Sequence, residues 1–155
     1  HLGKERMFDY VPCTQEVVTA LEKGCLESGL KRIIGEHERG KGFKVGRGYC
    51  ADGFYNGQAR PALCGLTPEM ERLIEELDKE GVLTIEMETS GLAAVVQAHR
   101  ERAKPPYNEV GFATLLTPVA NRKTGDWCEE KQYQMQVLKV ASEAFVLLEK
   151  RLRGQ

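Results

Sequence analysis

The sequence lacks any apolar run of the roughly 20 residues needed to cross a bilayer as a helix. It also lacks a C-x-x-C pair and any Cys/His grouping at metal-ligand spacing, so no metal site is expected. Cys13, Cys25, Cys50, Cys64 and Cys128 are scattered and odd in number, which reads as reduced thiols in a cytoplasmic protein rather than a disulfide framework. There is no charge excess: 22 basic residues face 23 acidic ones, for a net charge of −1. Bulk electrostatics therefore give no reason to expect nucleic acid or an anionic membrane as partner. No internal repeat or low-complexity segment is visible. No secretory signal opens the chain, although this amino terminus carries little information. His1 stands where an initiator Met would, and the chain is expected to be a processed product or a fragment.

What is present suits an ordinary globular domain. Of 155 residues, 41% are hydrophobic and 29% charged, enough for one domain with its own core. Tyr10-Val11-Pro12-Cys13 is expected to be extended. Thr14 is placed to cap a helix with Val17, Val18, Leu21 and Cys25 on one face; Gly29 is its stop, and Gly24 weakens its last turn. A short strand is predicted over 31–34 and a charged loop over 35–42, where His37 reads as part of a solvated tip. Over 43–50 a strand is predicted with Gly46 and Gly48 inside it, a pattern that suggests a bulge or a close approach. The stretch 51–65 reads as a long loop punctuated by Gly and Pro. Thr67-Pro68 starts a second helix, with Met70, Leu73, Ile74 and Leu77 as its buried face and Gly81 as its end.

Val82-Leu83-Thr84-Ile85 then leads, as a strand, into Glu86-Met87-Glu88 and a helix running to about Arg102. The two acids have two readings. They can face the positive end of that helix, or they can line a ligand site at a strand's carboxyl end. His99 reads as a residue complementing the helix's negative end. Past Pro105-Pro106, the run 110–120 is the most apolar in the chain and is predicted to be a strand buried on both faces. Asn121 and Arg122 begin the polar loop after it. Asp126 and Glu129 are predicted to box the start of a final helix, which carries Val137, Leu138, Ala141, Phe145 and Leu148 on one face and ends near Leu152. The alternation of helices and apolar strands indicates an α/β fold.

Three polar loops share a chemistry: 54–60, 86–88 and 121–122. If their strands are neighbours in one sheet, they gather an aromatic ring, an amide, two guanidiniums, two carboxylates and a thioether. Gln58 can read an edge with both C=O and N–H. Arg60 and Arg122 suit carbonyl oxygens that gain negative charge. Phe54 offers a stacking face, and Glu88 can accept from vicinal hydroxyls. The inventory suits a nucleoside with an oxo-rich base.

Phe54-Tyr55-x-Gly57-Gln58-x-Arg60, followed by Glu86-Met87-Glu88 and by Asn121-Arg122-x-x-Gly125-Asp126, resembles the signature of the uridine phosphorylase family of the nucleoside phosphorylases. The similarity spans nearly the whole chain. It implies a three-layer α/β/α domain with a central mixed sheet, of which residues 1–155 would be the carboxyl-terminal part. It also implies phosphorolysis of uridine to uracil and ribose 1-phosphate, with no cofactor and with inorganic phosphate as co-substrate. Gln58 and Arg60 would hold the uracil carbonyls and N3–H, and Phe54 would pack on the base. Met87 and Glu88 would contact the ribose, Glu86 would lie at the base–sugar junction, and Arg122 would support O4. In the departing base, charge spreads onto oxygens that Arg60, Gln58 and Arg122 would stabilise. The purine branch of the family carries an acid after the last strand. Ala120-Asn121-Arg122 has none there, which favours pyrimidines.

Family members are longer, and their Gly-rich phosphate loop lies in an amino-terminal half that this sequence lacks. That half is expected to have been cleaved or to come from another chain, because half a sheet exposes an edge and an apolar face. A homodimer is the expected assembly. The alternatives are a non-catalytic nucleoside-binding relative and a nucleoside hydrolase.

Overall fold

The computed structural model describes residues 11–34, 42–53, 57–60, 67–105, 109–121, 124–127 and 131–154. In chain order these form α1 (Gln15–Glu27), β1 (Lys31–Arg32), β2 (Gly42–Phe43), β3 (Arg47–Cys50), α2 (Pro68–Lys79), β4 (Val82–Glu86), α3 (Thr89–Arg102) and α4 (Lys131–Leu152). Among the described residues β1 pairs with β2 and β3 with β4, both in parallel. The α/β class follows, and the strands among the described residues form two separate parallel pairs.

The punctuation of the second helix dictates its bounds. The Thr67 hydroxyl accepts the Met70 N–H at 3.4 Å, and Pro68 opens the first turn where no N–H is needed. Gly81, at φ +69°, turns the chain out of the helix and straight into β4. Met70 and Leu77 are buried and α2 lies against β4, so β3, α2 and β4 make one βαβ unit.

The expected 43–50 strand is split between the two sheets. Gly46 lies in the break, where an added Cβ would come within 2.5 Å of Leu83 Cδ1. The β3–β4 register shifts between Arg47 and Gly48, the irregularity that the glycines had suggested.

The 110–120 run is not a strand, a correction with a clear cause. Phe112 spends both its backbone groups on Thr14: its N–H donates to Thr14 Oγ1 at 2.9 Å, and its C=O accepts from Thr14 N–H at 2.8 Å. The run's apolarity serves a packed cluster of Ala93, Val96 and Phe112, with Val110 and Cys13 against it. Thr14 is consequently not the side-chain cap expected for α1, although it holds the N-cap position. Its hydroxyl also accepts from Arg100 Nη2 at 2.8 Å, while Arg100 Nε donates to the Val110 carbonyl at 2.6 Å.

A second core lies where α1 packs on α4. Ala20, Gly24 and Cys25 are buried on one helix, Val140 and Ala144 on the other. Helix α4 spans Lys131–Leu152, and residues 128–130 lie outside the described residues. Asp126 instead closes a turn: Asn121 N–H donates to its carbonyl at 2.8 Å, and its carboxylate accepts from the Thr124 hydroxyl. Glu129 lies outside the described residues. No described helix is long and apolar enough to cross a membrane.

Candidate functional site

In the parallel pair β3–β4, Cys50 is in register with Glu86, and Ala51 N–H continues the ladder to the Glu86 carbonyl at 2.7 Å. The carboxyl ends of the two strands therefore meet at one rim. The loop that leaves β3 carries Gln58 and Arg60. The turn that leaves β4 is Glu86-Met87-Glu88.

The β3 loop folds back tightly on itself. An added Cβ on Gly57 would lie 2.8 Å from both Asp52 Oδ1 and the Gly53 carbonyl, so only glycine fits without a shift. Ala59 is buried at φ +48°, a left-handed conformation that costs a non-glycine residue about 1 kcal/mol or more. On either side of this strained residue, Arg60 Nε donates to Gln58 Oε1 at 2.9 Å. The Gln58 side chain is only 5% exposed, and Arg60 is half-buried. With its oxygen engaged by Arg60, the amide is held with its NH2 as the remaining donor. The two residues together form one hydrogen-bonded pair.

The β4 turn is organised by Glu86. Its Oε2 accepts the N–H groups of Glu88 and Thr89, both at 2.8 Å, at the first turn of α3. Burial pushes the Glu86 carboxyl up. Hydrogen bonds from the Thr89 hydroxyl, the Glu88 N–H and the Thr89 N–H, with the Cys50 thiol close by, outweigh that effect, and the group titrates below its ordinary 4.5. Of the two readings of this acid, the helix-start one is realised in the geometry. Glu88 holds the N-cap position of α3 without capping through its side chain, and its carboxylate accepts Met87 N–H at 3.1 Å. Met87 and Glu88 are both exposed.

Two residues of this rim were not singled out in the sequence. Cys50 Sγ lies 3.1 Å from Ser90 Oγ, to which it donates, and it accepts the Ser90 N–H at 3.3 Å. A polar side chain on the last residue of a strand was the available signal. Phe54 and Arg122 lie outside the described residues. Asn121 lies in the turn that ends at Asp126, and that turn follows no strand. Ala120 and Trp127 close it through an isolated antiparallel bridge.

Cys13, Cys25 and Cys50 are free thiols, and the described residues contain no group of three or more His, Cys, Asp or Glu suited to a metal. His99 sits in the last turn of α3 with Arg100 and Arg102, where cations oppose the helix's negative end. No protein-family model matches the chain, nor does any curated protein or solved structure.

Proposed function

We propose that the chain is the base- and sugar-binding part of a cytoplasmic enzyme that cleaves uridine with inorganic phosphate, releasing uracil and ribose 1-phosphate. The observation that carries this reading is the parallel pairing of β3 with β4. It sets the carboxyl end of β3, from which the loop carrying Gln58 and Arg60 departs, beside the Glu86-Met87-Glu88 turn that leaves β4, at the strand ends where α/β folds gather ligands. Gln58 and Arg60 would hold the oxygens of the base and stabilise the charge they gain as the glycosidic bond breaks. Glu88, exposed at the rim, would accept from the ribose hydroxyls, with Met87 against the sugar. Phe54 and Arg122 would complete the base pocket.

The reading requires a complement. The phosphate cradle and the remaining strands would come from another segment of the same polypeptide or from another chain, giving a three-layer α/β/α domain with a central mixed sheet. A homodimer would be the working assembly. The absence of a Gly-rich phosphate loop from the sequence is what favours a binding-only relative as a second reading.

Ultraviolet-monitored release of uracil from uridine, with and without phosphate, separates the readings. Release that requires phosphate is expected. Binding without turnover would support the binding-only relative. Release at the same rate without phosphate would point to a hydrolase.

A further inference from the structure

We propose that Cys50 is a positioning residue of this rim, bracing the Glu86-Met87-Glu88 turn against the β3 loop that carries Gln58 and Arg60. The proposal rests on the nucleoside-binding reading for its functional consequence, and on the geometry for the brace itself.

The backbone ladder ends at the Ala51 N–H to Glu86 carbonyl bond. Beyond it, the β3 loop and the start of α3 are separate pieces of chain. The Cys50 thiol spans that gap: it donates to Ser90 Oγ at 3.1 Å and accepts Ser90 N–H at 3.3 Å, across forty residues of sequence. Ser90 lies in the first turn of α3, where backbone N–H groups have no intrahelical acceptor. Glu86 takes the N–H groups of Glu88 and Thr89, and Cys50 takes the next one along. Three successive N–H groups are thereby fixed by two side chains that face each other in register across the strand pair. Glu86 is thus committed to the turn, and it too acts on a ligand through the position of Glu88.

The chemistry fits a sulfur atom at this place. Cys50 is half-buried, and its thiol offers both a donor and an acceptor to Ser90, at 3.1 and 3.3 Å. Losing the brace leaves the base edge intact, because the Gln58–Arg60 bond does not involve Cys50. It frees the turn that presents Glu88. The expected deficit is therefore selective for the sugar.

The test compares Cys50→Ala and Cys50→Ser in the complete protein that contains this chain. Uridine KM is expected to rise roughly fivefold to tenfold in Cys50→Ala, the loss of about one hydrogen bond, while affinity for free uracil changes less than about twofold. Cys50→Ser, which keeps a donor and an acceptor, is expected to restore most of the loss. Unchanged uridine KM in Cys50→Ala would overturn the proposal. So would equal losses for uridine and uracil, or a Ser variant as impaired as the Ala variant. Amide hydrogen exchange, followed on the same proteins, needs no ligand. The N–H groups of residues 88–90 are expected to exchange faster in Cys50→Ala, and unchanged protection there would overturn the brace. If the unmutated protein neither binds nor cleaves uridine, the nucleoside reading fails, and the exchange result decides the brace by itself.

Discussion

The Glu86 carboxylate accepts the N–H groups of Glu88 and Thr89 at the first turn of α3 and so stabilises the start of that helix. Acids at helix starts are stabilising, and acids at strand ends bind ligands; both descriptions fit the string Ile85-Glu86-Met87-Glu88. The hydrogen bonds assign Glu86 to the turn, with Glu88 beside it at the exposed rim. Glu86→Ala is expected to cost about 1 kcal/mol of stability, as for a lost helix cap, measurable by urea unfolding. A pH dependence follows. The folded-state carboxyl titrates below the ordinary 4.5, so its stabilisation is complete above 4.5 and is lost as pH falls through the lower folded value. Stability measured from pH 6 down to pH 3 is expected to fall less steeply in Glu86→Gln than in the unmutated protein. Identical slopes would remove the assignment. Arg60→Ala belongs at this scale too. Turnover of uridine is expected to drop by orders of magnitude, and stability to fall by about 1–3 kcal/mol, because the buried Gln58 oxygen loses its Arg60 partner. Residue types at the rim were legible. The Cys50–Ser90 contact was not, since it depends on strand register, which a single sequence does not display.

Among the elements, α2 was the most legible, because its boundaries are written in local chemistry: Thr67, Pro68 and Gly81 act on the backbone beside them. The 110–120 run was misread because continuous apolarity reports burial without reporting hydrogen-bond partners. Only Thr14, about a hundred residues away, reveals why Phe112 pairs with no strand. Gly24 was read as a weak point in α1. In the fold it is the point of closest approach to α4, where an added Cβ would lie 2.7 Å from the Val140 carbonyl and 3.2 Å from Ala144 N. Gly24→Ala improves the intrinsic helix propensity yet is expected to destabilise the protein by about 1–3 kcal/mol, as overpacking does, because backbone must yield. Thermal unfolding of that variant decides which effect wins. A raised midpoint would mean that the helices part more easily than the contact implies.

At the scale of the whole molecule, the strands among the described residues form two parallel pairs, whereas parallel sheets are ordinarily covered on both faces. On helix α4, Met135, Leu138, Phe145 and Leu152 are exposed at heptad-like spacing, beside the face that packs on α1. The 155-residue chain expressed by itself is expected to self-associate in sedimentation velocity, and Phe145→Ser to reduce that association. A monodisperse monomer at high concentration would contradict the need for a complement. The pairing of α1 with α4 has a further consequence during synthesis. The ribosome makes Ala20, Gly24 and Cys25 long before Val140 and Ala144. At roughly 5–20 residues per second, the first helix waits about 6 to 25 s for the partner that covers it, so the nascent chain presents a bare helical face for which a chaperone can compete.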